Sequence, residues 1–481
     1  MASGEGFYHD VSLRGPVPDR LLVRLPRLRA PDPDLATRIC AVAARDARGF
    51  FAPDAASFAY AQSFAWTWPL ASAEEAEPGT PRHAAGALFE AWMRDHGRYA
   101  PRAWAPVLAA QRTEAMLANA PLLLEGRDAP VREQVFATLI RQTRHLAKAA
   151  RRAPPEGRLA AACGLMLGTL ALPGADAAER AGKAALTAAL DEAAAGRLPD
   201  GLRRPGRATS LAATLLGVSA AYKARGLTPP PTLGDAIGAL RLLMGGLCLP
   251  GADALAVLPG GGEGDGALLG ALRPLRRPEA DAMLDRYGYA RLTAGGTALH
   301  VDGATGGFAL SDGAARVVTA AGAPGPGLRA VSARMEDWHA ALSRPAGGAT
   351  LDAGGYGPGS LTRTDAPEGS VIAMRRRGPD GGAHERRLFL PADGAALLGE
   401  DAAHPGATYR FPLHPDTEAR PAGPGRIGLV LPSGRSWRLE AANADVSVEE
   451  GIYSGGHAPR ASAQVVVVSE REGVRWAIKR A

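Results

Sequence analysis

The sequence predicts a multidomain α + β protein, with a mostly helical half to about residue 285 followed by a β-rich half that runs to residue 481. Apolar residues recur at helical spacing in the first half and at the two-residue spacing of strands in the second. A chain of this length also exceeds what one hydrophobic core normally holds. We therefore predict two domains, residues 1–285 and 286–481.

The helices of the first half are separated by Pro/Gly turns. The clearest is Val131–Ala150, where one face carries Val135, Phe136, Leu139, Ile140 and Leu146. Further helices are predicted at 158–172, 176–195, 210–225 and 232–247, with Asp176 and Ser210 as capping residues at two of their starts. Short links predict antiparallel helical hairpins, and several in succession favour a solenoid or an open toroid over a closed bundle.

The β-rich half begins where the period changes, near Tyr287. Residues 289–301 alternate as a strand does, break at glycines and resume. Hairpins are predicted at 427–439, around the turn 432–434, and at 463–478, around residues 471–473. Repeated hairpins of this length predict antiparallel sheets in a sandwich.

The positive charge comes almost entirely from arginine. The net charge is +6, and only four of the 55 basic residues are lysines. Arginine spread along the whole chain favours compositional bias over a binding patch, although the guanidinium fork suits carboxylates and phosphates. Aromatic residues are only 5%, so the interleaved basic and aromatic stripe of a nucleic-acid-binding protein is not predicted.

The three cysteines are too far apart for a disulfide framework or a metal knuckle. The first ten residues lack the basic and apolar segments of a signal peptide, and the longest apolar stretch, Leu159–Leu172, is shorter than the roughly 20 residues of a membrane span. We expect a cytoplasmic protein without a membrane partner.

Common catalytic motifs are missing from the sequence. The Gly-rich stretch 259–266 lacks the Gly-Lys-Ser/Thr of a phosphate loop and carries two acids, so we interpret it as a connection. His384, His404 and His414 would form a zinc site only if they converged with a carboxylate such as Asp401 or Asp416; loop histidines are the alternative we prefer, and we predict no cofactor.

Two aromatic residues lie just before a helix that carries an arginine. Tyr99 and Trp104 precede a helix that carries Arg112. They fit a groove that stacks sugars and binds carboxylates, and they fit equally well as core packing at a helix entry.

The order of motifs resembles the heparinase II/III-like family. In the C-terminal half the resemblance is carried by residues 288–292, 384–388, 393–394, 399–401, 410–416, 431–437 and 449–456. In the N-terminal half it is carried more weakly by Tyr99, Trp104 and Arg112, by residues 120–124 and by residues 198–201.

The resemblance implies an incomplete (α/α) toroid followed by an antiparallel β-sandwich. It also implies a polysaccharide lyase, which cleaves an acidic glycan by β-elimination. A base removes the proton next to a uronate carboxylate, cationic or amide groups neutralise that carboxylate, and a Tyr or His moves the proton. The implied partner is an acidic polysaccharide or oligosaccharide.

Several of the family's expected proton-transfer groups are replaced in this sequence. The region 347–351 has no histidine, residues 411–415 keep only His414, residues 374–378 replace a His-Asp-Gly-Tyr segment, and residues 202–207 contain no tyrosine. Two hypotheses follow: a lyase, or a catalytically inactive glycan-binding or scaffolding protein of the same fold. Candidate catalytic residues are His384, Tyr356 and Tyr222, and candidate substrate-binding residues are Tyr99, Trp104, Arg112, Arg204, Arg207 and Arg386.

Overall fold

The computed structural model describes residues 4–481 except 30–31, 52–57, 195–204, 253, 260–261, 263–268, 271–281, 285–286, 323–341, 344–359, 378–382, 404 and 457–459. The chain divides into two compact units. Residues 1–203 and 207–240 form the helical unit, and residues 241–481 with 204–206 form the second unit. The predicted division at residue 285 falls just after the first strand, whereas the compact units divide within the last helix.

Twelve α-helices are found in the described residues. They are α1 Gly4–Val11, α2 Pro33–Asp46, α3 Phe58–Gln62, α4 Thr67–Ala76, α5 Thr80–His96, α6 Pro106–Ala118, α7 Ala120–Leu124, α8 Ala129–Ala149, α9 Pro155–Ala171, α10 Asp176–Ala194, α11 Pro205–Ala224 and α12 Pro231–Leu247. Short 3₁₀ turns follow at Gly49–Phe51 and Ala150–Arg152.

Local sequence explains where many of these helices start. The Asp32 carboxylate accepts the backbone N–H of Leu35 at α2, and the Asp128 carboxylate accepts that of Val131 at α8. Proline stands in the first turn of both helices, where its fixed φ fits and its missing N–H costs nothing. The predicted cap at Ser210 is wrong. A proline also starts this helix, α11, since it begins at Pro205, five residues before Ser210.

Seventeen strands are described, and all lie in the second unit. They are β1 Ala282–Leu284, β2 Tyr289–Ala294, β3 Thr297–Asp302, β4 Phe308–Asp312, β5 Ala315–Val318, β6 Leu342–Ser343, β7 Ser360–Ala366, β8 Gly369–Arg377, β9 Ala383–Pro391, β10 Ala396–Ala402, β11 Ala407–Pro412, β12 Glu418–Pro421, β13 Arg426–Val430, β14 Ser436–Ala442, β15 Asp445–Tyr453, β16 Arg460–Ser469 and β17 Gly473–Arg480.

The strands form three antiparallel sheets. Their orders are β1-β2-β3-β4-β5, then β12-β13-β14-β17-β10-β9-β8-β7, and β15-β16-β11-β6. One continuous apolar core joins them, with Leu299 from the first sheet, Leu388 and Trp437 from the second, and Tyr409 and Val467 from the third. The predicted helical half followed by an antiparallel β-sandwich is confirmed.

One predicted hairpin is wrong. Residues 427–439 do form a hairpin, since β13 pairs with β14. Residues 463–478 do not: β16 pairs with β11 and β15, whereas β17 pairs with β10 and β14 in another sheet. The short turn between β16 and β17 therefore carries the chain from one layer of the sandwich to the other, which alternation along a single strand cannot reveal.

Candidate functional site

His384, the predicted base, is buried on β9 between two charged side chains. Its Nδ1 accepts a hydrogen bond from Nε of Arg376 at 2.9 Å, so its Nε2 carries the proton and donates to Oδ1 of Asp401 at 2.8 Å. Burial lowers the pKa of this histidine, more than the Asp401 carboxylate raises it, and the imidazole is neutral at pH 7. Both ring nitrogens are engaged, so neither can accept a proton from a substrate without breaking this network.

Asp401 on β10 is the hub of that network. It is fully buried, and it accepts hydrogen bonds from Nε of Arg386 at 2.6 Å and from the indole N–H of Trp476 at 2.7 Å. Burial alone would raise the pKa of this carboxyl, but the Arg386 guanidinium and His384 lower it well below its usual range. Arg386 also donates from Nη1 to the backbone carbonyl of Gly306 at 2.7 Å.

Arg386 is therefore a part of the sandwich interior. Its side chain is 1% exposed, and its guanidinium lies over the ring of Phe308 at 5.5 Å. The structure brings two predicted site residues, His384 and Arg386, to one carboxylate, and it seals that group from solvent.

Arg112 on α6 lies in the core of the helical unit. Its Nη1 donates to the backbone carbonyls of Gln62 at 2.6 Å and Ala103 at 3.1 Å, and its guanidinium packs 4.5 Å from the ring centre of Trp92. Burial lowers its pKa to about 9. A side chain with no exposed surface has no access to a glycan in this structure, and packing takes the place of the predicted carboxylate contact.

Tyr99 and Trp104 lie close to Arg112, as the sequence predicts, but as packing. Trp104 is buried 5.8 Å from the Arg112 guanidinium, and Tyr99 lies 6.2 Å from Trp104. The imidazole of His9, from α1, covers Tyr99 at 4.1 Å and shares a 2.9 Å hydrogen bond with His145 of α8.

The other predicted residues lie in different settings. Tyr222 is buried on α11, and its hydroxyl donates to the sulfur of Met166 at 3.3 Å. Arg207 is in the same helix. Arg204 and Tyr356 lie outside the described residues, as does most of the Gly-rich stretch 259–266.

A polar cluster in the helical unit was not predicted from the sequence. Thr214 of α11 donates to Oε2 of Glu114 on α6 at 2.8 Å. Burial raises the pKa of the Glu114 carboxyl, against smaller lowering effects of Arg29 and Thr214. Nε of Arg29 is buried without a hydrogen-bond partner among the described residues, and the guanidinium, which forms no ion pair with them, lies 4.7 Å from the ring centre of Trp68.

A phenol belongs to the same cluster. Tyr60 on α3 keeps its hydroxyl buried and, within the described part of the chain, without a hydrogen-bond partner. Burial raises its pKa, and the charge of Asp32 adds to that effect while Arg29 opposes it. We call Arg29, Tyr60, Trp68, Glu114 and Thr214 the Glu114 cluster. It combines a cation, a phenol and a carboxyl whose pKa is raised by burial, on elements distant in sequence.

The second unit also buries a histidine that sequence reasoning missed. His300 on β3 has no exposed surface and pairs across the sheet with Arg291 of β2. Burial, and then Arg291, lower its pKa to about 3, so it remains neutral at ordinary pH. In the sequence His300 is one residue of an alternating strand pattern, and nothing else in the sequence indicates that it is buried.

The predicted histidine group does not make a metal centre in the part of the chain that is described. His414 pairs with Asp416 at 3.4 Å, His384 with Asp401, and His404 lies outside the described residues. No group of three or more His, Cys, Asp or Glu side chains within the described ranges is arranged to hold a metal ion.

Comparison with known proteins identifies the second unit. Residues 276–477 match the family described as heparinase II/III-like, C-terminal. The C-terminal half of the chain therefore carries a heparinase II/III-like C-terminal domain. The resemblance drawn from residues 384–388 and 410–416 is thereby confirmed. A search of curated proteins gave no significant match.

Solved structures of heparinases are similar in fold over most of this chain. A crystal structure of heparinase III has a TM-score of 0.66 at 12% identity, over 87% of this chain and 76% of that one. The heparan sulfate lyase HepC from Pedobacter heparinus has a TM-score of 0.57 at 12% identity, over 99% and 87%. A heparinase III described as the BT4657 gene product has a TM-score of 0.59 at 12% identity, over 99% and 89%.

At 12% identity this likeness shows the fold alone. None of the described helices is both long and apolar enough to cross a membrane.

Proposed function

We propose that this protein recognises an acidic, uronate-containing glycan and does not use His384 to cleave it. The observation that carries the proposal is the engagement of both His384 ring nitrogens, by Arg376 and Asp401, in a buried network. A general base must reach the proton it removes and have a free lone pair for it. This imidazole has neither, so the structure favours the inactive alternative over catalysis at His384.

The Glu114 cluster supplies the recognition. The Arg29 guanidinium has no ion-pair partner among the described residues and is oriented by the Trp68 ring. A planar guanidinium binds a carboxylate through two parallel hydrogen bonds, which suits a uronate. The unpartnered Tyr60 hydroxyl is the kind of buried group that a sugar hydroxyl satisfies.

A second candidate function is β-elimination at this same cluster. The raised pKa of Glu114 favours it, because burial keeps the proton on this carboxyl to higher pH than usual, and a protonated carboxyl can pass its proton to a leaving oxygen. In that reaction a base removes the proton beside the uronate carboxylate, the glycosidic C–O bond breaks, and a carbon–carbon double bond forms. Arg29 would neutralise the carboxylate.

One experiment separates the two functions. The full chain is titrated with a panel of uronic-acid oligosaccharides, binding is measured by calorimetry, and the same mixtures are followed by ultraviolet absorbance for the unsaturated product. Binding with a flat absorbance trace supports recognition without cleavage. Absorbance that rises in the wild type and stops in Glu114→Gln supports the lyase instead.

Variants test the location of the site. Arg29→Ala is expected to weaken binding about tenfold or more, in line with the loss of one charge-assisted pair. Arg38→Ala, which removes an exposed arginine of α2, is the matched control and should bind as the wild type does. Equal binding by both variants, or no binding across the panel, would remove the proposal.

A further inference from the structure

A cavity of about 680 Å³ in the helical unit is lined by an excess of arginines. The extended segment 19–27 forms one wall, and α6, α7 and the start of α8 form the rest. Five arginines line it against two acids, Asp19 and Glu125. The arginines are Arg20, Arg24, Arg27, Arg127 and Arg132. The volume lies within the range of about 300–1,000 Å³ typical of small-molecule sites.

Three of these guanidinium groups are uncompensated. Arg27 pairs with Glu75, and Arg127 donates to the backbone carbonyl of Arg82. By contrast, Arg20, Arg24 and Arg132 are exposed and form no ion pair with any described residue. Like charges around one concavity repel one another, and a bound anion relieves that repulsion.

The position of Arg132 adds an independent argument. It lies in the first turn of α8, where the helix macrodipole favours an acid and disfavours a cation. Arg132 therefore adds positive charge at the N-terminal end of α8, where the helix dipole is also positive.

The walls of the cavity hold these charges in place. Val23 and Leu25 are buried and fix the extended segment, while Arg24 between them remains exposed. Gly86 leaves room for Arg127, because a Cβ at that position would lie 2.5 Å from its Nη2. The arginine head groups thus sit on an ordered frame beside apolar wall residues.

We propose that this cavity binds a small molecule that carries two or more phosphate or sulfate groups. Several guanidinium forks in one cavity match multivalent oxyanions, since each fork can bind two oxygens of one group. The cavity shares no residue with the Glu114 cluster, so this proposal does not depend on glycan recognition there.

The test uses the full chain and two probes without a uronate, inorganic pyrophosphate and sucrose octasulfate. Binding is measured by calorimetry, with sucrose as the uncharged control. Tight binding of pyrophosphate alone identifies a phosphate site, and tight binding of sucrose octasulfate alone identifies a sulfate site. Affinity should fall steeply with added NaCl.

The double variant Arg24→Ala/Arg132→Ala is expected to bind the preferred probe about a hundredfold more weakly, about tenfold for each guanidinium. Both side chains are exposed, so the circular dichroism spectrum and thermal midpoint should remain those of the wild type. Arg38→Ala is again the control. Absence of binding by both probes, or equal affinity of the double variant and the wild type, would overturn the proposal.

Discussion

His384 and Asp401 form a buried hydrogen bond of 2.8 Å between two neighbouring strands, β9 and β10. The same carboxylate is paired in register with Arg386, whose Nε lies 2.6 Å from Oδ1. The Asp401 charge is therefore compensated by one cation and two neutral N–H donors, His384 and Trp476, within the sandwich. Two residues of the segment 384–388, one of those that carry the family resemblance, are thus engaged inside the sandwich.

The first prediction concerns Asp401→Asn. The substitution keeps the shape but removes the charge that compensates buried Arg386, so we expect the free energy of unfolding to fall by about 3–5 kcal/mol. Urea unfolding followed by tryptophan fluorescence measures it, since Trp476 contacts the site. Asp365→Asn, at an exposed carboxylate of β7 that pairs with Arg363, is the control and should cost less than about 1 kcal/mol. Similar losses for both variants would contradict the role assigned to Asp401.

Arg112 provides the second prediction. Arg112→Ala leaves a void beside Trp92 and two buried carbonyls without their donor, so we expect a loss of about 3 kcal/mol or more in unfolding free energy. Glycan affinity per folded molecule should remain that of the wild type. An Arg112→Ala protein of undiminished stability that no longer binds glycan would restore the substrate role predicted from sequence.

The third prediction is a loss of stability in acid through His145. In the folded protein burial, and then His9, lower the pKa of His145 from 6.5 to about 4. As pH falls below 6.5, the unfolded chain takes up a proton at this histidine and the folded chain does not. Proton uptake stabilises the unfolded state, so the free energy of unfolding falls until about pH 4. The whole interval is worth about 3 kcal/mol, since each pH unit contributes about 1.4 kcal/mol.

His145→Gln removes this titration. Its unfolding free energy should change less steeply between pH 6.5 and 4 than that of the wild type, whatever its value at pH 7. His83→Gln, at an exposed position of α5, should keep the wild-type slope. Parallel curves for the wild type and His145→Gln would contradict the assignment.

The hydrogen bond between His9 and His145 is part of a larger contact between the N-terminal segment and α8. Four residues of α8 at helical spacing bind the segment: Arg141 binds Asp10, His145 binds His9, Arg144 binds the carbonyls of Leu13 and Pro16, and Lys148 binds Ser12. The sequence places these residues away from the apolar face of α8. What they bind could not be predicted, because their partners lie about 130 residues away.

The helices and strands were largely predictable because their causes are local. Apolar spacing in α8, prolines at helix starts, and alternation in β13 and β14 act within a few residues. The partner of β17 was not predictable, since the turn after β16 is compatible with a hairpin and with a change of sheet. Tertiary packing of two layers decided between them.

By itself, the sequence determined the order of the two halves and the family resemblance of the second, because periodicity and motif order are properties of the chain. Only the tertiary structure decided what individual residues do. His384 and Arg386 occupy recognisable motif positions, yet burial against Asp401 gives them a structural role. Arg29, Glu114 and Thr214 belong to no motif and meet because three distant segments converge. Burial and the convergence of distant segments depend on how the whole unit packs, so they cannot be predicted from a single segment of the chain.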